Sequence, residues 1–154
     1  MLTTQTLSRL LRKVVKPCGL FRKQRRGAAA VEFAVVSPVF FLLVFGMIEY
    51  GRMVMVQQVV TNAAREGTRV AVLDGSTTAS VKTAAINAMA AGNVTITTSN
   101  VTVSPDPPTN ATFGDPVSVT VTVPFNQVSW LPSPMYLGGK SMTATTTMRR
   151  ETVQ

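Results

Sequence analysis

The sequence predicts an α+β protein: a single N-terminal transmembrane helix continuing into an amphipathic helix, then a small antiparallel sheet. Three observations predict it. Residues 28–48 form one apolar run with a single charge, the apolar residues after it recur every three or four positions, and beyond residue 93 they alternate. A chain of 154 residues has room for one small folded unit beside a tail and an anchor. The expected organisation is a basic cytoplasmic leader at 1–27, a transmembrane helix at 28–48, an extracytoplasmic helical extension at 49–74, and a small α+β domain with three strands at 75–154.

The leader accounts for the charge. The formal net charge of +8 would suggest a nucleic-acid partner if it were spread over a folded surface. It is not spread: Arg9, Arg12, Lys13, Lys16, Arg22, Lys23, Arg25 and Arg26 precede the first acid, Glu32, and the rest of the chain balances seven cations against seven acids. A nucleic-acid-binding domain is therefore not expected. Cys18, the only cysteine, lies in the leader, so the rest of the chain has neither a disulfide nor a thiolate metal site. Lys16-Pro17-Cys18 lacks the small residue expected before an acylated cysteine, and Cys18 reads as a bystander.

The second element runs Ala28 to Ile48, AAAVEFAVVSPVFFLLVFGMI. As a helix it spans about 31 Å, matching a hydrocarbon core of about 30 Å. The cations before it, against Arg52 alone just after it, place the N-terminus in the cytoplasm and the C-terminal part outside. A cleaved secretory signal fits poorly, because the small residues Ala28, Ala29 and Ala30 precede the apolar core and no A-x-A site follows it. Arg25-Arg26 followed by Gly27 and three alanines is a poor twin-arginine signal. The Arg-rich, acid-free residues 1–26 also suit a mitochondrial presequence, a reading that predicts cleavage upstream of Gly27.

Glu32 is the residue that asks for an explanation. A carboxylate four positions into an apolar span is costly and calls for a partner. Cleavage after Gly27 would give Ala28 a free α-amino group one helical turn before Glu32, at i and i+4, where the two charges can neutralise each other. The same carboxylate can instead reach the amine of a neighbouring subunit, so that charge neutralisation favours assembly. The plain alternative is an uncleaved single-pass anchor whose Glu32 snorkels to the headgroups and whose β-rich extracytoplasmic domain binds a ligand.

Arg25-Arg26-Gly27, then Ala28-Ala29-Ala30-Val31-Glu32-Phe33 and an apolar helix, resembles the prepilin peptidase site of type IV pilins. The stretch from Gly27 to about Val72 is similar to the TadE-like pseudopilins of tight-adherence (Flp-type) pilus assembly. Pro38, Gly46-Met47-Ile48-Glu49-Tyr50-Gly51-Arg52 and Thr61-Asn62-Ala63-Ala64-Arg65-Glu66-Gly67-Thr68-Arg69 carry that likeness. The resemblance implies a cleavage site at Gly27 and Ala28, an assembly role for Glu32, and a pilin-like fold. The partners it implies are a prepilin peptidase, other pilin-like subunits, an assembly platform and the lipid bilayer. It also implies residence in the bacterial cytoplasmic (inner) membrane, in association with a pilus or a related secretion system.

Past Arg52, the seam Met53, Val56, Val60, Ala63, Gly67 and Val70 continues the helix. Its small residues suit either another helix or the protein's own sheet, with the sheet favoured. Glu66 and Arg69 form a solvated i, i+3 pair, Asp74-Gly75-Ser76 ends the helix, and a second helix is expected from about Thr78 to Ala91, before Gly92-Asn93. Val94, Ile96, Val101 and Val103 read as one interrupted strand. Val117, Val119, Val121 and Val123 read as a second, and Met142, Ala144, Thr146 and Met148 as a third. Two proline-rich loops separate the strands, Pro105 through Pro116 and Pro124 through Gly139. Trp130 and Tyr136 in the second loop are expected to plug the core, with a partner or a membrane interface as the alternative.

Catalysis is not expected. The chain has no histidine and no cysteine after position 18, which removes the commonest general base and the usual transition-metal ligands. Asp106 and Asp115 flank a loop, but each neighbours a proline in a turn context that explains it. Gly138-Gly139-Lys140 lacks the upstream glycine of a phosphate loop. No cofactor and no metal is expected.

Overall fold

A computed structural model describes residues 21–131 and 136–150. Residues 1–20, with Cys18 and most of the expected leader, lie outside the described residues, as do 132–135 and 151–154. The chain divides into two units at Leu43/Val44.

Helix α1 (Phe21–Ala71) runs from the end of the leader through the apolar span and on into the extension. In the first unit its side chains from Ala28 onward are almost all exposed, including Val31, Phe33, Val36, Val39 and Phe40. Its most apolar stretch has none of its residues buried against protein, and by length and composition it is able to cross a membrane once. Pro38 lies within it and has no N–H, which leaves the Ala34 carbonyl without its helical donor.

The second unit is a two-layer α+β body. The rest of α1 and helix α2 (Thr78–Ala91) pack on one face of an antiparallel sheet ordered β1-β2-β3, made of β1 (Val101–Ser104), β2 (Pro116–Pro124) and β3 (Ser141–Arg149). The alternation in β2 does what its period requires: Val117, Val119, Val121 and Val123 are fully buried. Each buried valine contributes roughly 1.5–3 kcal/mol. Val101 and Val103 pair with Val121 and Val119 on the same face, while Met148 and Met142 pair with Val117 and Val123. The other face is a ladder of hydroxyls, with Ser118 on Thr147 (2.8 Å), Thr120 on Thr145 (2.8 Å) and Thr122 on Thr143 (3.1 Å). Such cross-strand pairs satisfy one another and hold the register.

The α1 seam packs on the protein's own core, as favoured. Val56, Val60 and Ala63 are fully buried, and Gly67 lies where a methyl group would meet Val119 Cγ1 at 3.2 Å and Ala85 Cβ at 3.4 Å. A β-carbon there would hold α1 away from both the sheet and α2. Helix α2 keeps the expected bounds and begins on a reciprocal Thr77–Ser80 capping box, which satisfies its first free N–H groups. Glu66 and Arg69 pair at 2.6 Å in solvent, as the spacing predicts.

Two expectations need correction. Helix α1 stops at Ala71 rather than Asp74, and the turn that follows puts Gly75 at φ +68°. Val94 and Ile96 are buried but belong to no strand, because a 3-10 turn at Thr98–Asn100 intervenes before β1. Asn100 donates to the Thr122 carbonyl at 2.9 Å, anchoring that turn beside β2. The apolar alternation here reports burial of a loop segment; the backbone needs no ladder partner to bury it.

Candidate functional site

The sequence-predicted site residues lie on the first unit. Gly27, Ala28 and Glu32 are exposed on α1, and a methyl group added at Gly27 would touch nothing within 4 Å. Among the described residues Glu32 has no hydrogen bond and no ion pair. This segment is accessible and apolar, with Glu32 as its one charge.

A second site, not anticipated from sequence, lies where the apolar run ends. There α1 presents Gly46, Glu49 and Arg52 in successive turns to the Pro124–Gly139 loop. Glu49 is 1% exposed. Its Oε2 accepts the backbone N–H of Tyr136 at 3.0 Å and of Leu137 at 3.3 Å. Two amides aimed at one carboxylate supply the charge-assisted bonds that a buried acid needs. The Tyr136 ring lies beside Gly46, its nearest carbon 3.4 Å from where a β-carbon would stand. Arg52, 7% exposed, donates from Nε to the Val128 carbonyl at 2.9 Å and has its guanidinium carbon 4.9 Å from the centre of the Trp130 ring. One short length of helix thus holds the loop at two places through opposite charges.

Trp130 and Tyr136 do not plug the core, contrary to the leading expectation. They are 65% and 53% exposed, and Phe125 and Val128 of the same loop are the buried ones. Trp130 lies against the Arg52 guanidinium, and the Tyr136 ring lies beside Gly46.

Several other charged residues hold loops and turns. Arg150, 7% exposed, ties three loops together by donating to the Pro108 and Ala111 carbonyls at 2.9 and 3.2 Å and pairing with Asp74 at 3.4 Å. Asp106 accepts from Thr78 Oγ1 at the start of α2. Asp115 accepts from Thr112 Oγ1 (2.5 Å) and Thr112 N–H (2.8 Å), bonds that hold its carboxyl below the usual range. Asp115 is thus engaged in its own turn, whereas Asp106 reaches across to the start of α2. Hydrogen bonds from Arg69 likewise hold the Glu66 carboxyl low. Among the described residues no three His, Cys, Asp or Glu side chains gather as a metal site.

Arg52 and Glu49 carried a signal in the sequence: two opposite charges three residues apart, just past an apolar run, facing a loop with the only tryptophan. The spacing also fits a solvated i, i+3 pair, and only the tertiary contacts separate the two cases.

Residues 27–69, under a third of the chain, match the family model described as TadE-like protein. No curated protein and no solved structure matches significantly. The match begins at Gly27 and ends within the buried seam of α1, so it covers the exposed segment and the charged turn but not the sheet.

Proposed function

We propose that this chain, TadE-like over residues 27–69, is a membrane-anchored pseudopilin-type component of a tight-adherence pilus or a related secretion system, processed after Gly27. The observation that carries the reading is the place where the family match starts: at Gly27, directly after Arg25-Arg26 and directly before the alanines and Glu32. In this reading a prepilin peptidase removes the basic leader. The new Ala28 amine and the Glu32 carboxylate then neutralise each other, within one subunit or between neighbours, as apolar helices pack side by side. The role is structural rather than catalytic. Other pilin-like subunits and an assembly platform are the partners, and the body is presented outside the cytoplasmic membrane.

A second reading, an uncleaved anchor presenting a β-rich binding domain, draws on α1 beginning at Phe21, so that the Gly27–Ala28 bond lies inside a helix. Intact mass and N-terminal sequencing of the protein from its native membrane separate the two. The expected mature end is Ala28, lost in Gly27→Trp. An intact leader in the wild type decides for the anchor, and an end upstream of Gly27 for import by another peptidase.

A further inference from the structure

Among the described residues Arg52 makes no ion pair, and the buried Glu49 carboxylate three residues earlier accepts from the Tyr136 and Leu137 amides. The Arg52 Nε is engaged by the Val128 carbonyl, one terminal nitrogen lies 3.5 Å from Met55 sulfur, and the Trp130 face covers the guanidinium. These contacts engage Nε and one terminal nitrogen, and leave the other terminal nitrogen available to a further acceptor. An open groove of about 310 Å³ reaches Arg52, which lines it with Asn93, Thr95, Gln127, Ser129 and Trp130 among others. Its rim is polar and has no acidic residue to repel an anion.

The position along the chain identifies the anion. The apolar run ends at Ile48, and Arg52 lies one helical turn further, about 6 Å along the axis. The headgroup layer of a bilayer extends roughly 5–8 Å beyond the hydrocarbon on each side, so Arg52 comes to the level of the lipid phosphates. Trp130 and Tyr136, half-exposed beside it, are the residue types that settle at that depth. We propose that the Arg52 groove seats the phosphate of a phospholipid headgroup at the extracytoplasmic face of the membrane, with Trp130 and Tyr136 lying in the interface around it. The phosphate supplies the acceptor that the remaining terminal nitrogen of Arg52 lacks among the described residues. This rests on α1 being a membrane anchor, which carbonate-resistant flotation of the chain with vesicles tests separately.

The experiment titrates the full chain, in a phosphate-free maltoside detergent, with phosphatidylglycerol. Binding is read by native mass and by the emission of Trp130, the only tryptophan. The expected result is a saturable emission shift with one retained lipid per chain. Gln127→Glu, at the exposed rim, weakens apparent affinity about threefold to fivefold, and Gln127→Lys strengthens it by a similar factor. Three outcomes overturn the proposal: the same shift from inorganic phosphate at equal concentration, which makes the ligand a soluble anion; the same shift from diacylglycerol, which makes it the tails; or no response, or no difference among the Gln127 variants. A chain that floats with vesicles yet fails these tests loses the groove and keeps the anchor.

Discussion

The two halves of α1 use the same side chains in opposite ways. Before Leu43, Val31, Phe33 and Val39 are 65–70% exposed, whereas Val56 and Val60, further along the same helix, are fully buried. Hydrophobicity does not distinguish them; the intended solvent does. The second half buries its seam in its own sheet and α2, whereas the first half has a surface suited to lipid or to neighbouring helices. The turn holding Glu49 and Arg52 belongs to the second half, where it binds the 124–139 loop.

The contrast predicts that damage on one side leaves the other intact. The largest effect is expected from Phe125→Ala, which empties the biggest fully buried side-chain position of the body. It should cost about 3–5 kcal/mol in denaturant unfolding with no change in membrane association. Val39→Asp should do the reverse. Membrane insertion becomes worse by about 2.5–3.5 kcal/mol, read as the ratio of inserted to uninserted chain, while unfolding of the body is unchanged. A shift in both measurements would show that the units are energetically one.

The Glu49 anchor comes next. Glu49→Ala leaves the Tyr136 and Leu137 amides without their acceptor, and about 1–3 kcal/mol is expected, seen as faster proteolysis within the 124–139 loop before the body unfolds. The smallest effect belongs to Asp115. Its folded pKa lies below its unfolded one, so its contribution is full above the unfolded value and disappears as pH falls through the folded value. The Thr112–Asp115 turn should therefore loosen only in acid below about pH 4, seen as faster exchange of the Thr112 amide, and Asp115→Asn should remove that dependence.

Much of the fold was legible because its period was. The valines of β2 alternate without a break over the whole strand, and the α1 seam keeps three-and-four spacing from Met53 to Val70. Legibility failed where burial and backbone geometry part company. Val94 and Ile96 alternate like a strand yet reach the core from a loop, and Trp130, apolar enough to be a core residue, stays outside because Phe125 and Val128 already fill the space beneath the loop. Gly27, Ala28 and Glu32 are legible as a pattern in one local stretch, whereas Glu49, Arg52 and Arg150 depend on partners 76 to 88 residues away or on loops that the chain order does not bring together.

The sequence by itself therefore determined an apolar helix long enough to cross a bilayer, a basic stretch before it, a carboxylate inside it, and alternating and helical patterns that make a two-layer body. These are local properties, set by the spacing of side chains along a helix or strand. Only the tertiary structure decided that Glu49 is a buried anchor for two loop amides, that Arg52 is a buried cation held by the Val128 carbonyl and the Trp130 ring, and that Trp130 and Tyr136 are left largely exposed. A charge has the same formula in water and in a fold, and its energy depends on which distant groups the fold sets around it.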